Sequence, residues 1–299
     1  MDPASVSIRR ARPLLGTFVE IGVAEAPGAE AAVAAAFAAV AKVHRLMSFH
    51  EQASDVSRLN REACKRAVTV DPWTFAVLET ALDLKRRSAG AFDITVAPVL
   101  ERLGLLPQAG RASRPSRASG GEPIELLAGR RIRFRDPGVR IDLGGIAKGF
   151  AVDRAVDVLR ADGVRCGLVN AGGDLAAFGP ESETVHIRDP RDPRRLILAL
   201  TVREEALATS GVRFDPFRSG ATAGVAIIDP ATGAAATAVC GATVRAANCM
   251  LADALTKAVM VAPASAPPLL SSLRASALIV QENGDLCVTD GWDAVRLAA

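Results

Sequence analysis

The chain of 299 residues has no tyrosine, two tryptophans and three histidines. His44 and His50 lie close together without a third ligand nearby, so no histidine-built metal centre is expected. Phenylalanine and tryptophan together make up only 4%, which leaves few side chains to stack on a flat ligand. The five cysteines are odd in number and form no CxxC pair, which excludes a disulfide framework and a zinc cluster; buried free thiols are expected. No segment reaches the run of about 20 apolar residues that spans a membrane. The N-terminal MDPASVSIRRARPLLG lacks the apolar core of a signal peptide. As it stands the chain is expected to be cytoplasmic, or periplasmic if it is a trimmed form. With 36 basic and 33 acidic side chains the net charge is only +3, and no basic run with interleaved aromatics argues for a nucleic-acid partner.

What is present is ample core-forming material, with 49% hydrophobic residues and a mean hydropathy of +0.22. Alternation predicts a strand over 17–24. Helical spacing predicts helices over 29–47, over 72–87 with Pro72 at its start, and over 249–261. Strands are expected at 184–187 and 195–202, at 224–229, and in a closing hairpin of 277–281 and 286–289 around Asn283-Gly284. FDITVAPVL, 92–100, reads as extended. The stretch 107–123 is rich in Ser, Arg, Gly and Pro and reads as a mobile surface loop. Strands and helices mix without regular βα alternation, so an α+β architecture is favoured over a doubly wound sheet. No repeat or internal boundary appears, giving an N-terminal tail over 1–11 and one domain over 12–295.

The chain is organised around 141–179, IDLGGIAKGFAVDRAVDVLRADGVRCGLVNAGGDLAAFG. Val139 to Leu143 reads as a buried strand that ends in the Gly144-Gly145 turn. A helix follows over 147–160 with Asp153, Arg154 and Asp157 facing out. Val164 to Val169 is a second strand, leaving through Asn170-Ala171-Gly172-Gly173-Asp174. Two glycine turns at neighbouring strand ends, each flanked by an aspartate, can gather backbone amides that favour phosphate and carboxylates that hold a cation. On spacing alone, tight packing and capping account for these residues equally well. Lys148 follows GGIA and precedes Gly149, so this is no nucleotide P-loop, and GxGxxG is absent from the turn.

The run D-L-G-G-I-A-K-G-F-A-V-D followed by N-A-G-G-D resembles the FAD:protein FMN transferase family, also called the ApbE family. Further segments match in order: Arg12 to Thr17, Met47-Ser48-Phe49 through Asn60, and Gly90-Ala91-Phe92-Asp93-Ile94-Thr95-Val96-Ala97-Pro98. Thr209-Ser210-Gly211, Ile228 to Gly233 and Ala252-Asp253-Ala254-Leu255 follow. The resemblance covers roughly residues 12–290. It implies a T-fold-related α+β fold of mixed sheets packed with helices, the flavin nucleotide lying between them. The implied activity moves FMN from FAD to a Thr or Ser hydroxyl of a target flavoprotein, releasing AMP with the help of Mg2+. For FAD, the matching residues are Leu15, Phe49, Ala91, Phe92, Asp93, Asp142, Lys148 and Ile227. For the metal, they are the turn at Gly145, Asp253 and a threonine one helical turn further on.

That last position is Lys257, with Thr256 one place earlier. Either Thr256 takes over as ligand, or Lys257 pairs with Asp253 and meets the pyrophosphate itself; Asp253 and Lys257 are accordingly the candidate catalytic residues. A family histidine expected before the IxDPxTG turn is replaced by Val225 and Ala226. Losing a general base costs about 10²–10⁴ in rate. This departure leaves two further readings, an FAD-binding protein that no longer transfers and an FAD pyrophosphatase.

Overall fold

Apolar alternation over 17–23 and a two-residue turn start the chain as a hairpin, β1 (Ile8–Leu14) and β2 (Thr17–Val23). The computed structural model describes residues 8–108, 122–192, 194–211 and 227–292, together with the backbone of 295–296. Next come α1 (Ala29–Met47), α2 (Asp55–Glu62), the short β3 (Val68–Thr69) and α3 (Pro72–Arg87). They are followed by α4 (Ala97–Arg102), the hairpin of β4 (Ile124–Leu127) and β5 (Arg131–Phe134), and α5 (Ala147–Ala161). The chain continues through β6 (Gly167–Ala171), β7 (Asp174–Phe178), β8 (Glu183–Arg188), β9 (Leu196–Val202) and β10 (Glu205–Gly211). It closes with β11 (Gly241–Ala246), α6 (Cys249–Val261), α7 (Ala266–Ser272), β12 (Ser276–Val280), β13 (Leu286–Val288) and β14 (Val295–Arg296).

Eight strands form one antiparallel sheet in the order β1-β2-β6-β7-β10-β11-β12-β13. Two three-stranded sheets flank it, β14-β9-β8 and β3-β5-β4. Side chains alternate across the large sheet and feed two cores. On β7, Ala176 and Phe178 join the core under the helices, whereas Leu175 and Ala177 join a smaller core beneath β8 and β9. On the helical side α1 packs on α5, α5 on α6, and α6 on β10 and β11. The α1 stripe of Val33, Phe37, Val40, Val43 and Met47, spaced three or four apart, is buried there. No helix among the described residues is long and apolar enough to cross a membrane.

The helix starts follow from local chemistry. Asp71 caps α3 by accepting from Trp73 N at 2.9 Å, with Pro72 at the first turn. Asn248 caps α6 by accepting from Leu251 N at 2.9 Å.

FDITVAPVL is helical rather than extended. Asp93 accepts from both the backbone N and the hydroxyl of Thr95 at 2.8 Å, which winds Ile94–Val96 into a 3-10 turn, and Pro98 sits in the first turn of α4. Val139 to Leu143 pairs with no strand among the described residues. Instead the amide of Asn60 donates to Ile141 O at 2.9 Å and accepts from Ile141 N at 2.8 Å, while Asp142 N donates to Ile94 O at 2.9 Å. One side chain thus takes the place of a neighbouring strand. The large sheet already begins at Ile8, within the stretch read as a tail, because β1 pairs with β2 from Ile8↔Val23 onward. Of the strand expected over 224–229, residues 224–226 lie outside the described residues and Ile228 makes only an isolated bridge to Ala235. Most of the 107–123 stretch also lies outside them.

Candidate active site

Helices α5 and α6 start side by side and cap one another. Gly149 N, in the first turn of α5, donates to Asp253 Oδ2 at 3.0 Å. In return Asp153 of α5 accepts from Cys249 N at 2.7 Å and Met250 N at 2.9 Å, the first amides of α6. Each helix thereby supplies the carboxylate that satisfies the other's orphan amides and favourable dipole end. Glycine at 149 is what allows this approach, because a Cβ there would lie 2.1 Å from Cys249 O and 2.8 Å from Asp253 Cβ. Asp153, read as facing out, is turned inward by this role. Burial pushes its carboxyl up to about 6, against the two amides that favour the charged form.

Above the crossing lie four ionised groups in two pairs. Lys148 Nζ sits on Asp174 Oδ2, and Lys257 Nζ sits on Asp253 Oδ1. Both carboxylates are fully buried, while the lysines reach a cavity. Burial pulls the Lys148 ammonium toward neutrality, but Asp253 and Asp174 outweigh it and hold the group above its ordinary range. Asp174 is raised, first by burial and then by the charge of Asp253, whereas the two lysines outweigh burial at Asp253 and lower it.

The cavity, about 510 Å³, opens at one end of the large sheet. Segments far apart in sequence line it. The β1–β2 hairpin brings Leu15, Gly16 and Thr17, and the segment leading into the 3-10 turn brings Ala91, Phe92 and Asp93. The glycine turn brings Asp142 and Gly145, the start of α5 brings Lys148, β10 brings Thr209 and Ser210, and the segment after the undescribed residues brings Ile227. Leu100, Leu105 and Leu106 complete an apolar wall that the sequence did not single out. Two tight turns form the rim. Leu15 and Gly16, both at positive φ (56° and 72°), join β1 to β2, and Gly172-Gly173 (67° and 101°) join β6 to β7. Leu15 holds a left-handed backbone that few non-glycine residues adopt, a strain of the kind found at binding sites. Gly172 lies against Thr17, where a Cβ would come within 2.5 Å of the Thr17 hydroxyl oxygen.

Of the expected site residues, Leu15, Ala91, Phe92, Asp93, Asp142, Gly145, Lys148, Ile227 and Lys257 share this cavity. Phe49 does not. It lines a separate surface cavity with His50, Asn60 and Arg140, and its carbonyl accepts from Ser57 Oγ at 3.3 Å. Asp93 is already engaged, by Thr95 on one oxygen and by Lys85 Nζ at 3.0 Å on the other. Burial raises the Asp142 carboxyl, with the Gly144 amide at 3.1 Å opposing. Asp174, the aspartate flanking the Gly172-Gly173 turn and expected as a carboxylate able to hold a cation, holds the Lys148 ammonium. Val225 and Ala226 lie outside the described residues.

The donors expected to hold magnesium are the Gly145 turn, Asp253 and Thr256. Mg2+ demands near-octahedral oxygen coordination at about 2.0–2.1 Å. Both Asp253 oxygens are taken, by Lys257 and by Gly149 N. Thr256 is fully buried; its hydroxyl donates to Asp253 O at 2.7 Å and accepts from Ser210 Oγ at 2.7 Å. A Cβ at Gly145 would lie 3.5–3.7 Å from the methylenes of Lys257, so the lysine stem lies across the turn expected to supply a carbonyl. Asp174 Oδ1 is buried without a hydrogen-bond partner among the described residues, a single acceptor. No group of three His, Cys, Asp or Glu among the described residues could hold a metal. As folded, this donor set does not fit the ion.

Residues 15–279 match the ApbE family. An FAD:protein FMN transferase of Vibrio cholerae is 30% identical over 233 residues, 74% of this chain and 70% of that protein. Another, from Rhodobacter capsulatus, is 32% identical over 270 residues, 83% of this chain; the chain spans half the length of that relative. Among solved structures, the ApbE protein of Thermotoga maritima superposes with a TM-score of 0.82 at 29% identity, covering 95% of this chain and 97% of that one. The flavin transferase ApbE of Vibrio cholerae, 24% identical, shares the fold with a TM-score of 0.78 over 95% of this chain and 97% of its own.

Proposed function

The chain belongs to the ApbE family, and we propose that it is an FAD:protein FMN transferase acting on a hydroxyl of a target flavoprotein. The observation that carries this reading is the cavity in which an apolar wall meets two lysine ammonium groups. That pairing suits a flat apolar ring system joined to a pyrophosphate.

Leu15, Ala91, Phe92, Asp142 and Ile227 are assigned to the flavin nucleotide, and Lys148 with Lys257 to the pyrophosphate. Phosphoryl transfer is catalysed chiefly by positioning and by neutralising charge on the transferred group. The acceptor oxygen forms a bond to the FMN-side phosphorus, and the bond from that phosphorus to the bridging oxygen breaks. AMP leaves with the bridging oxygen, and at neutral pH one proton is released. The ammonium groups oppose the negative charge that gathers on the departing phosphate. Asp253 and Asp174 are positioning residues that hold the two lysines, Asp253 also fixing the first turn of α5.

The test incubates the protein with FAD and candidate acceptor proteins bearing a surface threonine, followed by mass spectrometry. FMN mass on an acceptor, absent with Lys148→Met, is the expected result. FAD recovered intact with every acceptor would overturn the transferase, and FMN plus AMP without adduct would replace it by a pyrophosphatase.

A further inference from the structure

We propose that the Lys257 ammonium takes the place of a divalent cation in this site, so that FAD is bound and its pyrophosphate neutralised by Lys148 and Lys257 without bound metal. This rests on the transferase reading of the cavity. Three observations converge. The stem of Lys257 packs across Gly145 while its ammonium rests on Asp253 Oδ1, so one side chain spans the gap between the two groups expected to share an ion. The remaining Asp253 oxygen is committed to the start of α5. The neighbouring hydroxyl of Thr256 points into protein and is committed to Asp253 O and Ser210.

Charge balance argues the same way. Lys148 and Lys257 already match Asp174 and Asp253 one for one. A doubly charged ion entering at Asp253 would meet an ammonium group at contact distance, and such repulsion is strong away from bulk water. An incoming pyrophosphate meets those ammonium groups from the cavity side. Its two negative charges face two lysines whose carboxylate partners are buried beneath them. Lysine acts there as a point charge with three donors, able to meet phosphate while it still donates to its carboxylate.

Replacing Lys257 by threonine removes the ammonium and puts a hydroxyl one helical turn from Asp253, on the same face. The purified full chain and its Lys257→Thr variant are titrated with Mn2+ by electron paramagnetic resonance, with and without FAD. FAD affinity of the wild type is measured in EDTA and in millimolar Mg2+. The variant is expected to bind one Mn2+ per chain at least about tenfold tighter than the wild type, because a like charge has left the site. Wild-type FAD affinity is expected to change by less than about twofold between EDTA and Mg2+, since no ion is part of the binding site. A wild type that binds one Mn2+ as tightly as the variant, or that loses FAD affinity about tenfold in EDTA, overturns the proposal. The EDTA comparison needs no variant and decides even if Lys257→Thr does not fold. Absence of FAD binding in both solutions would sink the transferase reading instead, and the Mn2+ comparison would still decide the role of the lysine.

Discussion

The two faces of the large sheet bury side chains from the same strands, yet they do opposite work. Under β8 and β9 the packing is apolar: Leu175, Leu207 and Leu278 from the sheet meet Ile187, Leu198, Leu200 and Trp292. Under α5 and α6 the same strands meet a core that also buries Asp174, Asp253 and Thr256. Apolar burial is non-directional and roughly proportional to area, so the first face needs only shape and volume. Buried charges are tolerated only when paired and hydrogen-bonded, so the second face needs each partner in place. The dry face stabilises the sheet, and the charged face uses that stability to hold two lysines at a cavity.

The sharpest way to break this contrast is Lys148→Met, which leaves Asp174 buried without its ion pair. Loss of one partner of a buried pair costs about 3–5 kcal/mol. Chemical denaturation is expected to show that loss, and FAD titration of the folded fraction at least about a tenfold weaker affinity for want of one pyrophosphate contact. If Lys148→Met kept both stability and affinity, the charged face would be no more specialised than the dry one.

Leu200→Ala on the dry face is expected to cost about 2–4 kcal/mol through lost burial and a residual cavity. Its FAD affinity, measured below the unfolding transition, should match the wild type. A large affinity loss here would show that the two faces are coupled through the sheet.

Asp153→Asn is expected to change how stability depends on pH. The Asp153 carboxyl stands at about 6 when folded, above its unfolded value near 4. Between pH 4 and pH 6 the folded chain therefore binds more protons at this group than the unfolded chain, and its contribution to stability falls as pH rises. The variant lacks that falling contribution. Its stability should change with a more positive slope than the wild type across this window, by about 1–3 kcal/mol in all. A parallel pair of profiles would remove Asp153 as a buried acid, whatever constant offset the lost cap leaves.

Phe18, 70% exposed on β2, belongs to neither core. Phe18→Ser is expected to stay within about 0.5 kcal/mol of wild-type stability in the same denaturation assay. A larger loss would place a third region in the comparison.

Local pattern made much of the scaffold legible. The stripe of α1, the Pro72 start of α3 and the extent of α6 are written in residues three and four apart, and the structure keeps those boundaries. FDITVAPVL misled because its apolar run lacks a decisive period, while the Asp93–Thr95 contacts that wind it are side-chain bonds that periodicity does not show. The segment at Ile141 misled for the converse reason. It is extended and buried, but its partner is the Asn60 amide, 81 residues away.

Ordered motifs carry local chemistry in their spacing, so the family, the α+β mixture and nine of the residues that line the cavity were legible in the sequence. Which of those residues bond to one another is set by contacts between distant segments. That Lys257 rests on Asp253, that Thr256 turns inward to Ser210, and that Asp153 and Asp253 cap each other's helices depends on how closely α5 approaches α6 at Gly149. Such an approach is set by packing across the whole sheet, and no window of sequence contains it.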